Sequence, residues 1–202
     1  MIAAPQSGGL ELTLVDRDGL LVERWSEEFA AWPDSVRVRR GQLESVDDVD
    51  AWVTAGNSYG QMDGGVDRAV AEHIPGIQSA VWKAIATHAR GYLPVGSALV
   101  VGTGAATPWL VYAPTMRIPM SLRGPLESAV HDAFWAALVA VVRHNHAVDE
   151  QQRIRSIACP GFGTGFGRVD PGRAAQLMAT AYRCWRAGPT AAIADRERDL
   201  AP

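Results

Sequence analysis

Cysteine is nearly missing from this chain: Cys159 and Cys184 are the only two in 202 residues. That number builds no disulfide framework and matches no zinc-ligand spacing, and it fits a reducing, cytoplasmic setting. Cys159 ends an apolar run before Pro160 and reads as a buried, inert thiol. Long apolar runs are lacking as well. Nothing in the pattern approaches the roughly 20 apolar residues that cross a bilayer, so no membrane association is expected. The first ten residues have neither the positive nor the apolar segment of an export signal. No basic block occurs, and a net charge of -3 gives no footing for broad binding to a nucleic-acid backbone. Small anions held by local N–H groups are not excluded. No G-K-S/T follows a glycine loop, which removes the phosphate loop of nucleoside triphosphatases. The first turn, Asp16-Arg17-Asp18-Gly19, is acidic and too poor in glycine for a dinucleotide fingerprint.

What is present centres on Gly56 to Asp67, G-N-S-Y-G-Q-M-D-G-G-V-D. It follows a short apolar run, Ala51 to Ala55, whose length suits a buried strand. It precedes a helical stretch, Val66 to His73, with Asp63 placed to cap the first turn. Strand, glycine loop and helix N-terminus together let backbone N–H groups and the helix dipole hold an anion. Asn57 and Asp67 bracket the loop, and only a loop that folds back can bring them together. An ordinary turn before a capped helix would read the same way.

Other segments alternate between strand and helix. Strands are expected at Leu10–Val15, Val36–Arg40, Ser97–Gly102, Trp109–Ala113 and Ile154–Cys159. Helices are expected at Leu20–Trp32, Ile77–Arg90 with Gly91 as its terminator, Leu126–Val142, and Pro171 to about Trp185. Trp25, Phe29 and Trp32 fall at helical spacing and read as core. Arg117, between two prolines, is a candidate anion contact. His144 and His146 follow the last turn of their helix, and two histidines without a further ligand are weak evidence for metal. A second glycine loop, Gly161 to Gly167 (G-F-G-T-G-F-G), again joins a strand to a helix. In an open α/β sheet such loops converge on one crevice, so the pair points to a pyrophosphate held from both sides. The alternation argues a single three-layer α/β domain.

At these residues the chain resembles the macro domain family. D-A-W-V-T-A-G-N-S leading to G-G-V-D looks like the family's first ligand loop, and I-R-S-I-A-C-P-G-F-G-T-G looks like its last strand and second loop. The match runs over about Val36 to Trp185. It is most similar to a prokaryotic and phage-like branch with N-S-x-G-x-M-D-G-G and A-P-T-M-R-x-P, here Asn57–Gly65 and Ala113–Pro119. The resemblance implies a three-layer α/β/α sandwich with a mixed central sheet. The domain would span 1–187, with the N-terminal strand and helix added to the family match, and 188–202 would form a tail.

The ligand implied is ADP-ribose or an ADP-ribosylated substrate. By motif position Asn57 addresses the distal ribose and Asp67 lies near the scissile bond. Gly64, Gly65 and Val66 line the diphosphate and distal ribose from one side, and Gly163, Thr164, Gly165, Phe166 and Gly167 from the other. The chain also departs from the pattern. Gly41-Gln42-Leu43 stands where many members carry G-D-I, so Gln42 or, from the first strand's end, Asp16 would have to meet adenine. Thr54 replaces the first asparagine of N-A-A-N, and the second loop is shorter, with Phe166 set against the distal ribose. The activity expected is hydrolysis of an ADP-ribosyl linkage without metal or cofactor. The alternatives are a non-catalytic ADP-ribose or nucleotide binding module, or a degenerate domain that serves in assembly.

Overall fold

The computed structural model describes residues 9–199. Six strands form one sheet: β1 (Glu11–Asp16), β2 (Val36–Arg40), β3 (Ala51–Thr54), β4 (Leu99–Gly102), β5 (Trp109–Tyr112) and β6 (Ser156–Cys159). Their spatial order is β2-β1-β6-β3-β5-β4. All neighbours are parallel except β4, which runs antiparallel to β5 at the edge. The sheet is therefore mixed, and the N-terminal strand is built into it between β2 and β6.

Period-two alternation assigns the two faces. Leu12, Leu14, Val53, Val111, Ile157 and Cys159 point to one side, where they pack with α1 (Gly19–Glu28), α4 (Ser128–Ala147) and α5 (Pro171–Asp199). Val15, Trp52, Leu110, Tyr112 and Ala158 point to the other, against α2 (Gly65–His73) and α3 (Ile77–Ala89). Burying each large apolar side chain in these two cores contributes about 1.5–3 kcal/mol before chain entropy is subtracted. Helices cover both faces, which gives the three-layer α/β/α sandwich. α4 is long and apolar enough by composition to cross a bilayer, but Val130, Phe134, Leu138 and Val141 are its contribution to the core.

Several element ends differ from the sequence pattern. α1 stops at Glu28, four residues short of Trp32, and the chain turns so that Phe29 and Trp32 both pack edge-on or tilted around Tyr182 of α5. α4 continues to Ala147, so His144 and His146 lie inside its last turn. There His144 packs on Trp109 and its Nε2 meets the Gln152 carbonyl, a structural role. The backbone beyond Gly188 is helical to Asp199, where the sequence suggested an unpatterned tail; Gly188 itself is non-helical and breaks the helix.

Parallel neighbours in the order β1-β6-β3 bring three carboxyl ends to the same edge at the centre of the sheet. The turn after β1, the glycine loop after β3 and the glycine loop after β6 meet there.

Candidate functional site

The three loops enclose a cleft of about 320 Å³. Its walls include Asp16 and Asp18 from the first turn, Asn57 and Gly64 to Asp67 from loop 1, and Gly163 to Gly167 from loop 2. Thr115, Met116 and Pro119 close a further side. A second hollow of about 270 Å³ adjoins it, lined by Gln42, Leu43 and Glu44 with Val66, Ala69 and Arg17. Asp16, Gly65, Val66 and Pro160 line both, so the two form one continuous groove.

Loop 1 enters α2 differently from the expected cap. Asp63 does not cap the helix. Gly64 takes the capping position in an extended conformation (φ -145°, ψ 154°), one residue further on. A glycine there leaves the first N–H groups of α2 without a capping side chain. Gly65, Val66 and Asp67 line the cleft, which suits a helix N-terminus that receives an anion. Gly65 adopts φ +57°, a left-handed conformation that favours glycine. Asp63 instead lines the cleft and adds negative charge near Asp67.

Asp67 sits on the first turn of α2 and is buried, and its Oδ1 has no hydrogen-bond partner. Burial raises its pKa to about 7 from the ordinary carboxylate value. Asp63 pushes it the same way, while the Thr54 hydroxyl pulls it down. The Thr54 pull is second to burial and larger than the push from Asp63, although neither Thr54 Oγ1 nor Asp67 Oδ1 closes a hydrogen bond of ordinary geometry. A buried polar atom left unpaired in the wall of a cleft marks a candidate functional group.

Asn57 is 5% exposed and organises its own loop. Its Oδ1 accepts from the Tyr59 and Gln61 N–H groups at 3.1 and 3.4 Å, and its Nδ2 donates to the Gln61 carbonyl at 2.8 Å. One amide hydrogen is left over. Gln78 of α3 braces the same loop: its Oε1 accepts from the Met62 N–H at 2.8 Å and its Nε2 donates to the Gly60 carbonyl.

Loop 2 folds tightly on itself. Val169 N–H donates to the Gly163 carbonyl, Arg168 N–H to that of Gly165, and Leu122 N–H to that of Gly167. Asp16 ties this loop to the first turn, its Oδ2 accepting from Gly161 N–H and its Oδ1 from Asp18 N–H. A Cβ at Gly161 would meet Leu21 Cδ2 and Asp16 Oδ2 at 2.4 and 2.9 Å, so a larger residue there must displace both side chains. Phe166 stands 59% exposed at the lip.

The structure thus gathers Asn57, Gly64, Gly65, Val66, Asp67, Gly163, Thr164, Gly165, Phe166 and Gly167 around one cleft, with Gln42 and Leu43 in the adjoining hollow and Asp16 at the junction. Arg117 is the exception. It lines neither hollow; its guanidinium lies over the Tyr92 ring, 5.9 Å from the centroid, beside Tyr59. Sequence reasoning overlooked Tyr112, Gln78 and Glu44. Tyr112 looked like one more apolar strand residue, and only Gly56 beside Asn57 hinted that something approaches from below. Cys159 is buried, with its thiol pKa pushed well up by burial and by Asp16, and is inert. Among the described residues no group of three or more His, Cys, Asp or Glu side chains could hold a metal ion.

Comparison with known proteins identifies the family and the fold. A family model described as "Macro domain" matches residues 53–178. The macrodomain of Mycobacterium tuberculosis DarG superposes with a TM-score of 0.57 at 24% identity, covering 72% of this chain and 88% of that one. The macrodomain of Thermus aquaticus DarG gives 0.53 at 27% identity, covering 70% and 86%. Thermosipho africanus DarTG in complex with ADP-ribose gives 0.53 at 16% identity, covering 68% of this chain and 36% of that one.

Proposed function

The chain belongs to the macro domain family, and on that premise we propose that it binds ADP-ribose along the groove and hydrolyses an ADP-ribosyl linkage at its Asp67 end. The observation that carries the reading is the buried, unpaired Asp67 carboxyl in the wall of a cleft closed by two glycine loops. A solved relative of the same fold, the Thermosipho protein, is described in complex with ADP-ribose, which supports this ligand.

In this reading adenine occupies the smaller hollow beside Gln42 and Leu43. The Gln42 amide supplies both a donor and an acceptor, as adenine's N1 and amino group require. The diphosphate lies between the N–H groups at the start of α2 and loop 2, with the helix dipole opposing its charge. The distal ribose reaches Asn57, whose spare amide hydrogen meets a hydroxyl, and Phe166 covers the ring. Asp67 then takes a proton from a water that attacks the ribose C1″ as the bond from C1″ to the leaving group breaks. The leaving group departs with the bonding electrons and takes up the proton that water gave to Asp67, returned through solvent, which restores the carboxylate.

Base catalysis requires Asp67 ionised. Its acidity near neutrality matches the proton affinity expected of a general base that works at that pH. The experiment is a release assay with mono-ADP-ribosylated protein and nucleic-acid substrates, comparing the native protein with Asp67→Asn. Turnover that falls at least a hundredfold in the variant supports hydrolysis. Tight ADP-ribose binding with no turnover on any substrate favours the binding-module alternative.

A further inference from the structure

The Tyr112 hydroxyl makes two hydrogen bonds to a single residue of loop 1. It accepts from the Asn57 N–H at 2.9 Å and donates to the Asn57 carbonyl at 2.8 Å. Tyr112 ends β5, next to β3 in the sheet, and its side chain is fully buried. From there the ring rises under the start of the loop. Gly56 completes the fit: a Cβ at that position would lie 2.1 Å from the hydroxyl and 2.3 Å from Cζ. Gly56 has an ordinary φ, so close approach by Tyr112, and not backbone strain, is what excludes a side chain there.

A phenol that both accepts and donates in this way fixes the two peptide units flanking Asn57, and so the height of that residue above the sheet. The second strut is the short bridge between Asn57 and Met116, with Ser58 N–H donating to the Met116 carbonyl at 3.0 Å. Asn57 thereby has its own N–H and carbonyl satisfied from below, and its side-chain amide is left to shape the loop and face the cleft. Burial, and after it the nearby Asp67 charge, push the pKa of the same hydroxyl well up, so the phenol stays protonated. The donor is retained throughout the pH range in which Asp67 titrates.

We propose that Tyr112 is a positioning residue: its hydroxyl sets where Asn57 presents its amide relative to Asp67. The inference rests on the ADP-ribose reading of the groove but is separable from it. Without the hydroxyl, the buried Asn57 N–H loses its partner and the Asn57 carbonyl keeps only the Gly60 N–H at 3.1 Å, and loop 1 must re-seat to recover the lost bonds.

The test is Tyr112→Phe, which keeps the ring and its packing. Two readouts are taken: the side-chain amide resonances of Asn57, assigned with an Asn57→Asp control, and calorimetric affinities for ADP-ribose and for ADP. The expected result is a moved Asn57 amide signal and about a tenfold loss of ADP-ribose affinity, the size of one lost hydrogen bond. ADP lacks the distal ribose, so its affinity should stay within about twofold. An unmoved amide signal, or equal losses for ADP and ADP-ribose, overturns the proposal, the latter by revealing a general structural effect. If the native protein binds no ADP-ribose, the ligand reading fails, and the Asn57 signal alone decides the positioning role. Should the variant not fold, hydrogen exchange of the native protein decides: a slow Asn57 backbone amide is expected, and a fast one contradicts the clamp.

Discussion

The ring of Phe166 stands where a side chain at Gly64 would be: a Cβ there would come within 2.6 Å of Phe166 Cε2. Loop 2 thus reaches across the cleft and rests on the last residue before α2, and the glycine is what lets the two loops close. Gly64 has an extended backbone open to any residue, and Phe166 is free at its far end. Gly64→Ala should therefore displace the aromatic ring and not the fold. Stability is expected to change by less than about 0.5 kcal/mol, with ADP-ribose affinity down severalfold. Gly65→Ala should behave in the opposite way, since its Cβ meets nothing but φ is +57°. It should lose about 1–2 kcal/mol from strain. Thermal melts and calorimetry on the pair separate the two cases.

Burying Asp67 lowers stability at neutral pH. Its folded value, about 7, lies above the ordinary carboxylate value of 3.8. The folded state therefore holds a proton that the unfolded state has released between these limits. The stability from this group is complete below about pH 4, declines as pH rises toward 7 and levels off above. The full difference is on the order of 4 kcal/mol. Asp67→Asn should raise the melting temperature at pH 8, and the gain should vanish as pH falls toward 4. A variant that is destabilised at pH 8 would show that the carboxylate is paired and not stranded.

The same titration sets the pH dependence of turnover. As a general base Asp67 acts only when ionised, so kcat/KM for an ADP-ribosylated substrate should rise with pH through a midpoint near 7 and then plateau. A flat profile from pH 5 to 9 would remove Asp67 from proton transfer.

Much of this was legible beforehand, and the reasons differ by element. Strand alternation and the two strand–glycine–helix junctions are local patterns, so the sheet, the helices and both loops could be read directly. The pairing of Asn57 with Asp67 around one cleft also followed, because loop chemistry fixed both positions. The cap at Asp63 did not, since capping depends on which residue turns extended, a one-residue choice that the local sequence pattern leaves open and that falls on Gly64. Arg117 was misplaced for a related reason. Its prolines fix the backbone, but the side chain follows the exposed rings of Tyr59 and Tyr92, which are distant in sequence. Tyr112 was invisible because its clamp joins residues 55 positions apart.

Gln42 lines the smaller hollow, where the proposed reading places adenine, and its exchange probes base recognition. Gln42→Leu removes both hydrogen-bonding functions and should weaken ADP-ribose by about tenfold, within the 1–3 kcal/mol of a paired base contact. Gln42→Asp restores an acceptor for the adenine amino group and should bind at least as tightly as the native protein. Calorimetry on the two variants checks the assignment; equal, native affinities would place the base elsewhere.

Direct titration of the purified protein with ADP-ribose, with AMP and NAD as controls, tests the central claim that the groove is an ADP-ribose site. Micromolar affinity for ADP-ribose, at least tenfold tighter than for AMP or NAD, is the expected result. No heat with ADP-ribose at millimolar concentration, or equal affinity for all three, would contradict it.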